Sequence, residues 1–141
     1  MLAVMHKLIF VLLVALVSFE AYAENLTLEI TEVFPNPKGK DNSNLSSMEF
    51  IELYNYGENV IDLKGIRIKN SKNKTLDLNL YFNNIKSKQI LVIYPSKYLL
   101  LKNNNGEKIT LFFNEMIIDE IFYSYSREGI SWAEKNKAWV L

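Results

Sequence analysis

The chain has 141 residues, and 16 Lys and Arg balance 16 Asp and Glu, so its formal net charge is zero. Hydrophobic residues make up 49% of the sequence, which is typical of a folded domain and too apolar for a disordered chain. Cysteine is absent, which excludes disulfides, thiol catalysis, iron–sulfur clusters and Cys-ligated zinc. The single histidine, His6, lies in a segment that we interpret as a removed leader. The mature chain would then lack the commonest general base and a common metal ligand.

Residues 1–23 have the layout of a secretory signal peptide. Lys7 precedes an apolar run at 8–17, and Ala-Tyr-Ala at 21–23 supplies the small residues of a cleavage site, with cleavage expected before Glu24. An uncleaved membrane anchor is the alternative, but the run is shorter than the roughly 20 residues that a span needs. The sequence thus predicts a protein that is secreted, periplasmic or at the cell surface, with membrane attachment only through an uncleaved leader.

Short segments in which apolar and polar residues alternate recur through residues 24–141. The predicted strands are residues 26–33, 48–55, 60–63, 66–69, 75–80, 89–94, 108–113 and 116–123. Their length and spacing predict one all-β domain, a sandwich or barrel. The residues expected on the inner faces are Ile30, Ile51, Leu53, Leu63, Ile66, Ile68, Leu91, Ile93, Ile109, Leu111, Ile118 and Ile121. Residues 37–47 form the longest polar stretch, which we interpret as a mobile loop.

Several segments resemble bacterial members of the lamin tail domain family. Residues 49–55 read Glu-Phe-Ile-Glu-Leu-Tyr-Asn and resemble the family's most recognisable strand, and residues 30–39 resemble its opening strand and turn. Further similarities follow in the family's order at residues 60–68, 104–111, 118–123, 128–132 and 138–140. The resemblance implies an immunoglobulin-like β-sandwich over residues 24–141 that serves adhesion or positioning and carries out no chemistry. Family members usually continue past the final Trp, so we expect either a trimmed last strand or a longer exported protein.

Acidic residues in the first half of the chain are candidates for acid–base catalysis or calcium binding. The set comprises Glu32, Asp41, Glu49, Glu52 and Asp62. Because they lack EF-hand or Asp-x-Asp spacing, we interpret them as solvated or ion-paired surface groups. A fragment of a hydrolase that uses carboxylates or a divalent metal is the alternative function. We predict no cofactor, and no small-molecule substrate is evident.

Charge is distributed unevenly along the chain. Residues 24–63 carry eight acidic and two basic side chains, whereas residues 64–108 carry ten basic and two acidic ones. If the middle strands share a face, they form a patch suited to nucleic acid or anionic envelope polymers. The aromatic residues that could stack bases there are Tyr81, Phe82, Tyr94 and Tyr98. The candidate polyanion-binding residues are Lys64, Arg67, Lys69, Lys72, Lys74, Lys86 and Lys88. A solvated, Lys-rich face without a ligand is the alternative, and the scarcity of Arg argues against specific base readout.

The sequence therefore predicts an exported, non-enzymatic binding, adhesion or structural module. Its predicted partner is a protein or an envelope polymer, and an accessory module that binds DNA or another polyanion is an alternative. A further alternative is an assembly protein whose C-terminal edge strand pairs with another chain.

Overall fold

The computed structural model describes residues 26–39, 48–95, 99, 101–102, 106–135 and 138–140. The leader predicted at 1–23 and most of the polar loop predicted at 37–47 lie outside these ranges. Within them, no helix has both the length and the apolar character needed to cross a membrane.

Antiparallel strands account for the architecture. They are β1 (Leu28–Phe34), β2 (Phe50–Asn55), β3 (Ile61–Asp62), β4 (Ile66–Asn70), β5 (Thr75–Asp77), β6 (Asn84–Ile85), β7 (Ile90–Ile93), β8 (Glu107–Phe113), β9 (Met116–Tyr123), β10 (Trp132–Lys135) and β11 (Ala138–Val140). One sheet has the order β11-β10-β1-β2-β7, a second has the order β5-β4-β8-β9, and β3 pairs with β6. The all-β, immunoglobulin-like sandwich predicted from the sequence is confirmed.

The core lies between the two larger sheets. Ten of the twelve residues predicted for the inner faces are buried, while Leu91 and Ile118 are half-buried and pack against the core. The register of β1 against β2 shifts between Ile30 and Glu32. The shift changes the alternation of β1, so that the next buried residue after Ile30 is Val33, three positions on. Buried hydrophobic core residues that the prediction did not include are Leu28, Val33, Ile61, Leu76, Leu78, Ile85, Leu99, Leu101 and Tyr123.

The strand predicted over residues 75–80 is wrong in its second half. The strand β5 ends at Asp77, and a 3-10 turn follows at Leu78–Leu80. The Leu78 carbonyl accepts hydrogen bonds from the backbone N–H groups of Tyr81 and Phe82, both at 3.0 Å. Alternation misled the prediction because a single 3-10 turn also buries Leu78, while Leu80 is left 72% exposed. The short strands β6 and β10 were not predicted.

The two sides of the sandwich differ. On one side β10 pairs with β1 only at Glu32 and Val33, and Asp119 of β9 accepts the N–H of Ile30 at 2.7 Å, so this side is closed by contacts between the sheets. On the other side lie β7 and β5, which are terminal strands of their respective sheets. We call the region between β5 and β7 the open side.

Candidate interaction surface

The two buried carboxylates of the domain's described part hold backbone groups. Glu49 is 5% exposed, and its Oε2 accepts a hydrogen bond from the Leu101 N–H at 2.9 Å. Glu107 is 1% exposed, and its Oε2 accepts hydrogen bonds from the Lys102 N–H at 2.7 Å and from the Tyr123 hydroxyl at 3.0 Å. Both carboxylates therefore anchor the segment between β7 and β8.

The phenol of Tyr123 belongs to the same network. Burial raises the pKa of Tyr123 well above its ordinary value, and the Glu107 carboxylate beside it raises the pKa further. The hydroxyl therefore stays protonated, and it lies 3.0 Å from both Glu107 Oε2 and the Lys102 carbonyl. The hydrogen bonds among Tyr123, Glu107 and Lys102 therefore hold the backbone before β8 against the end of β9.

The predicted acidic set does not form one site. Glu49 is buried, so its assignment to the surface is wrong; its carboxylate accepts the N–H of Leu101, which lies 52 positions away along the chain. Glu32 and Glu52 lie opposite each other on β1 and β2. Asp62 accepts a hydrogen bond from the backbone N–H of Lys64. Asp41 lies outside the described residues. Nowhere in the described ranges do three or more His, Cys, Asp or Glu side chains group in a way that could hold a metal ion.

Asn55 at the end of β2 joins three segments of backbone. The side chain is fully buried, and its Nδ2 donates to the carbonyls of Asn59 at 2.7 Å and Lys86 at 3.0 Å. Its Oδ1 accepts hydrogen bonds from the Gly57 N–H at 3.0 Å and the Thr27 hydroxyl at 2.9 Å. The amide thus ties the start of β1 and the β6–β7 turn to the loop after β2.

The basic residues predicted as a polyanion site lie in three places. Lys64 and Arg67 lie on either side of the first residue of β4. Lys69 lies near the end of β4, and Lys72 and Lys74 lie in the turn to β5. Lys86 and Lys88 lie in the turn between β6 and β7. The structure therefore brings Lys69, Lys72 and Lys74 together at one hairpin, and it separates them from the β6–β7 pair.

Two of the seven basic residues are in ion pairs. Arg67 contacts Glu115 at 2.8 Å, and Lys88 contacts Glu58 at 2.9 Å. The hydrogen bond that Lys88 donates to the Glu58 carboxylate is the main cause of the raised pKa of Lys88. None of the other five forms an ion pair with a carboxylate of the described segments.

The open side carries a group of exposed apolar side chains. Leu80 is 72% exposed, Tyr81 is 52%, Ile90 is 53% and Tyr94 is 42%. Next to them is a groove of about 200 Å³, which we call the β7 groove. It is lined by Leu76, Tyr81, Phe82, Val92, Ile93, Tyr94 and Pro95. Exposed aromatic side chains around an apolar depression are typical of surfaces that bind other molecules.

The backbone of β7 carries hydrogen-bonding groups that point away from β2. The Asn55 N–H donates to the Gln89 carbonyl at 3.1 Å, which sets the phase of pairing between β2 and β7. Along an antiparallel strand, the backbone groups of successive residues point alternately towards and away from the neighbouring strand. The N–H and C=O groups of Leu91, like those of Gln89, therefore face β2, whereas those of Ile90 and Val92 point away from it. These outward groups have no backbone partner among the residues that the structure describes.

A comparison with protein families agrees with the fold and with the motifs. The family model of the Lamin Tail Domain matches residues 22–141. This chain belongs to the lamin tail domain family. No curated protein and no solved structure matches it. In this lamin tail domain the characteristic segment at 49–55 includes β2, and its end residues Glu49 and Asn55 are the two buried polar anchors described above.

The sequence interpretation missed Glu107, Asp119 and Tyr123 as important polar residues. Period-two alternation held a signal for all three. Glu107 lies two positions from buried Ile109 on β8, and Tyr123 lies two positions from buried Ile121 on β9, so each shares the parity of a buried residue and is expected on the same face of its strand. A polar residue at an inward position of a strand indicates a buried hydrogen-bonding role. Asp119 also shares parity with Ile121, because the register shift of β9 lies before Asp119 and pairing is regular after it.

Proposed function

We propose that this lamin tail domain is a non-enzymatic module that binds another protein chain through the open side of the sandwich. The observation that carries the proposal is the β7 groove, where exposed Tyr81 and Tyr94 lie beside a strand edge that pairs with no described strand. An apolar groove beside such an edge offers both side-chain contacts and backbone hydrogen bonds to a partner.

The use made of the buried polar groups supports a module without catalysis. Glu49, Glu107 and Asp119 each accept a hydrogen bond from backbone N–H, and Tyr123 stays protonated beside Glu107. Catalytic acids and bases need access to a substrate and a pKa suited to proton transfer. These side chains instead hydrogen-bond backbone groups and stabilise the fold.

We further propose that the module works after export. The leader predicted at residues 1–23 supports this location, and the neutral charge and the absence of Cys from the sequence are compatible with it. The partner would then be a protein secreted with it or exposed in the same compartment.

Cross-linking in the exporting cell tests the binding surface. A photo-reactive phenylalanine analogue replaces Tyr81 or Tyr94 in the full chain, and Phe122, which is 65% exposed on β9, serves as the matched control. We expect light-dependent cross-links to the same identified protein from positions 81 and 94, and none from position 122. Absence of cross-links at 81 and 94, or equal cross-linking at 122, would contradict the proposal.

Polyanion binding is the second candidate function, and the β4–β5 hairpin favours it. Lys69, Lys72 and Lys74 lie there without an ion pair to any described carboxylate, and Lys102 reaches the same hairpin by donating to the Ser71 hydroxyl at 3.1 Å. Clustered Lys side chains attract phosphate or sulfate groups through charge, with a strong dependence on salt.

Heparin and duplex DNA chromatography test this candidate. We expect the full chain to bind at low salt, and a variant with Lys69, Lys72 and Lys74 changed to Gln to elute at lower salt. A variant with Lys64 and Lys86 changed to Gln removes charge elsewhere and should elute close to the wild type. Passage of the wild type through both columns at low salt would rule out this function.

A further inference from the structure

We infer that the protein bound at the open side is a second copy of this chain, and that β7 of one copy pairs antiparallel with β7 of the other. This inference rests on the proposed binding function of the open side, and it names the partner. The resulting dimer would join two five-stranded sheets into one continuous sheet across a two-fold axis.

The backbone of β7 is ready for such pairing. Ile90 and Val92 direct their N–H and C=O groups away from β2, and Tyr94 continues the alternation beyond the strand. When the two-fold axis passes through Val92, this residue lies opposite Val92 of the second copy, and Ile90 lies opposite Tyr94. Each opposed pair can exchange two backbone hydrogen bonds, so every outward group in this stretch gains a partner.

The side chains at these positions are complementary to themselves. Ile90 is 53% exposed, Val92 is half-buried and Tyr94 is 42% exposed, and none of them carries a charge. The two-fold arrangement therefore packs apolar groups against apolar groups and opposes no like charges. The strand itself carries no charge that would select a charged peptide, and its uncharged side chains suit a second copy of the same strand.

The β7 edge also lacks the features that usually prevent sheets from pairing. The strand reads Ile-Leu-Val-Ile, with no charge, proline or register shift. In contrast, β5 has only three residues and ends at Asp77, and β9 carries Asp119, which is engaged with Ile30 of the other sheet. The side chains of three edge strands of the two larger sheets, β5, β7 and β9, are described by the structure. Of these three, β7 is the one without such protection.

The contact is small, so we expect a weak dimer. Stable protein interfaces typically bury about 1,600 Å² in total, and one paired strand with a few flanking side chains provides less. Dimerisation should therefore depend on concentration, with a dissociation constant on the order of micromolar.

Sedimentation of the full chain purified from an exporting host tests the inference. We expect the average mass to rise from one chain towards two as concentration increases. Val92→Lys, which opposes two ammonium groups at the axis, should remain monomeric, and Ile90→Lys should weaken association about tenfold. Ile117→Lys alters a residue of matched exposure, 56% against 53%, on a different face and should behave as the wild type. Thermal melting of each variant establishes that it is folded.

The outcomes separate this inference from the proposed function. A wild-type chain that stays monomeric at all concentrations, or a dimer that Val92→Lys leaves intact, overturns the second copy as partner. If cross-links from positions 81 and 94 still reach another protein, the binding function stands without the dimer. If those cross-links are absent as well, both proposals fail.

Discussion

Asp119 and Ile30 connect the two sheets of the sandwich by a hydrogen bond between residues 89 positions apart. The Asp119 Oδ2 accepts the Ile30 N–H at 2.7 Å, at a point of β1 that β10 does not reach. The other oxygen accepts the Glu120 N–H at 2.8 Å. Asp119 thus provides β1 with a hydrogen-bond acceptor where no described strand does so, and it helps to close one side of the sandwich.

Removal of this carboxylate should destabilise the domain. We expect Asp119→Ala to lower the free energy of unfolding by about 1–3 kcal/mol, because the Ile30 N–H loses its partner in a half-buried position. Urea unfolding measures the change. The control is Glu120→Ala, which breaks a half-exposed ion pair with Lys108 and should cost less than about 1 kcal/mol. Equal losses for the two variants would contradict this role of Asp119.

Asn55→Asp should destabilise the domain in a pH-dependent way. The substitution replaces the donating amide with a carboxylate that faces the carbonyls of Asn59 and Lys86. At neutral pH we expect a loss of about 3 kcal/mol or more in the free energy of unfolding. Because these carbonyls raise the pKa of the buried acid, the loss should be small below its unfolded pKa of about 4 and grow as pH rises.

Urea unfolding of Asn55→Asp at pH 4 and pH 7 measures this effect. Asn79→Asp is the matched control, since Asn79 is exposed and its substitution should shift stability little at either pH. A deficit for Asn55→Asp that does not change between the two pH values would show that the amide's donors are not the cause.

Tyr123 should make the domain sensitive to alkaline conditions. Its pKa is raised in the folded state, so the unfolded chain loses this proton first, and stability falls as pH rises above about 10. We expect Tyr123→Phe to be less stable than the wild type by about 1–3 kcal/mol at neutral pH, with the gap narrowing above pH 10. Tyr56→Phe, at an exposed position, should keep the wild-type alkaline slope. Parallel alkaline slopes for the wild type and Tyr123→Phe would refute the assignment.

Gly106 is a position where only glycine fits. Its φ of +69° is rarely adopted by other residues, and an added Cβ would lie 2.9 Å from the Tyr123 carbonyl oxygen. We expect Gly106→Ala to lower the free energy of unfolding by about 2–3 kcal/mol. Gly39 has a similar φ of +88° but no atom within 4 Å, so Gly39→Ala should cost about 1 kcal/mol. Denaturant unfolding compares the two, and an equal cost would exclude the steric contribution at Gly106.

The sequence predicted the fold because its local signals agree. Alternation placed Ile51 and Leu53 on the inner face of β2, and the resemblance of residues 49–55 to the lamin tail domain family pointed to the same sandwich. Alternation failed where the backbone departs from regular pairing. The 3-10 turn at Leu78–Leu80 and the register shifts in β1 and β9 depend on contacts between distant segments.

The open side could not be predicted from the sequence. Tyr81 and Tyr94 were noted as aromatic residues, but their meeting at one groove depends on β5 and β7 both lying at the ends of their sheets. Strand order is set by long-range packing and leaves no short-range pattern. The grouping of basic residues failed for the same reason, since neighbours along the chain, such as Lys74 and Lys86, belong to different turns.

Amide hydrogen exchange at β7, measured at several protein concentrations, tests most directly whether this edge is the site of association. The Leu91 and Ile93 amides should exchange slowly at every concentration because they face β2. The Ile90, Val92 and Tyr94 amides should exchange rapidly in dilute solution and slow as concentration rises and β7 strands pair. Exchange at these three positions that does not respond to concentration would contradict pairing through β7.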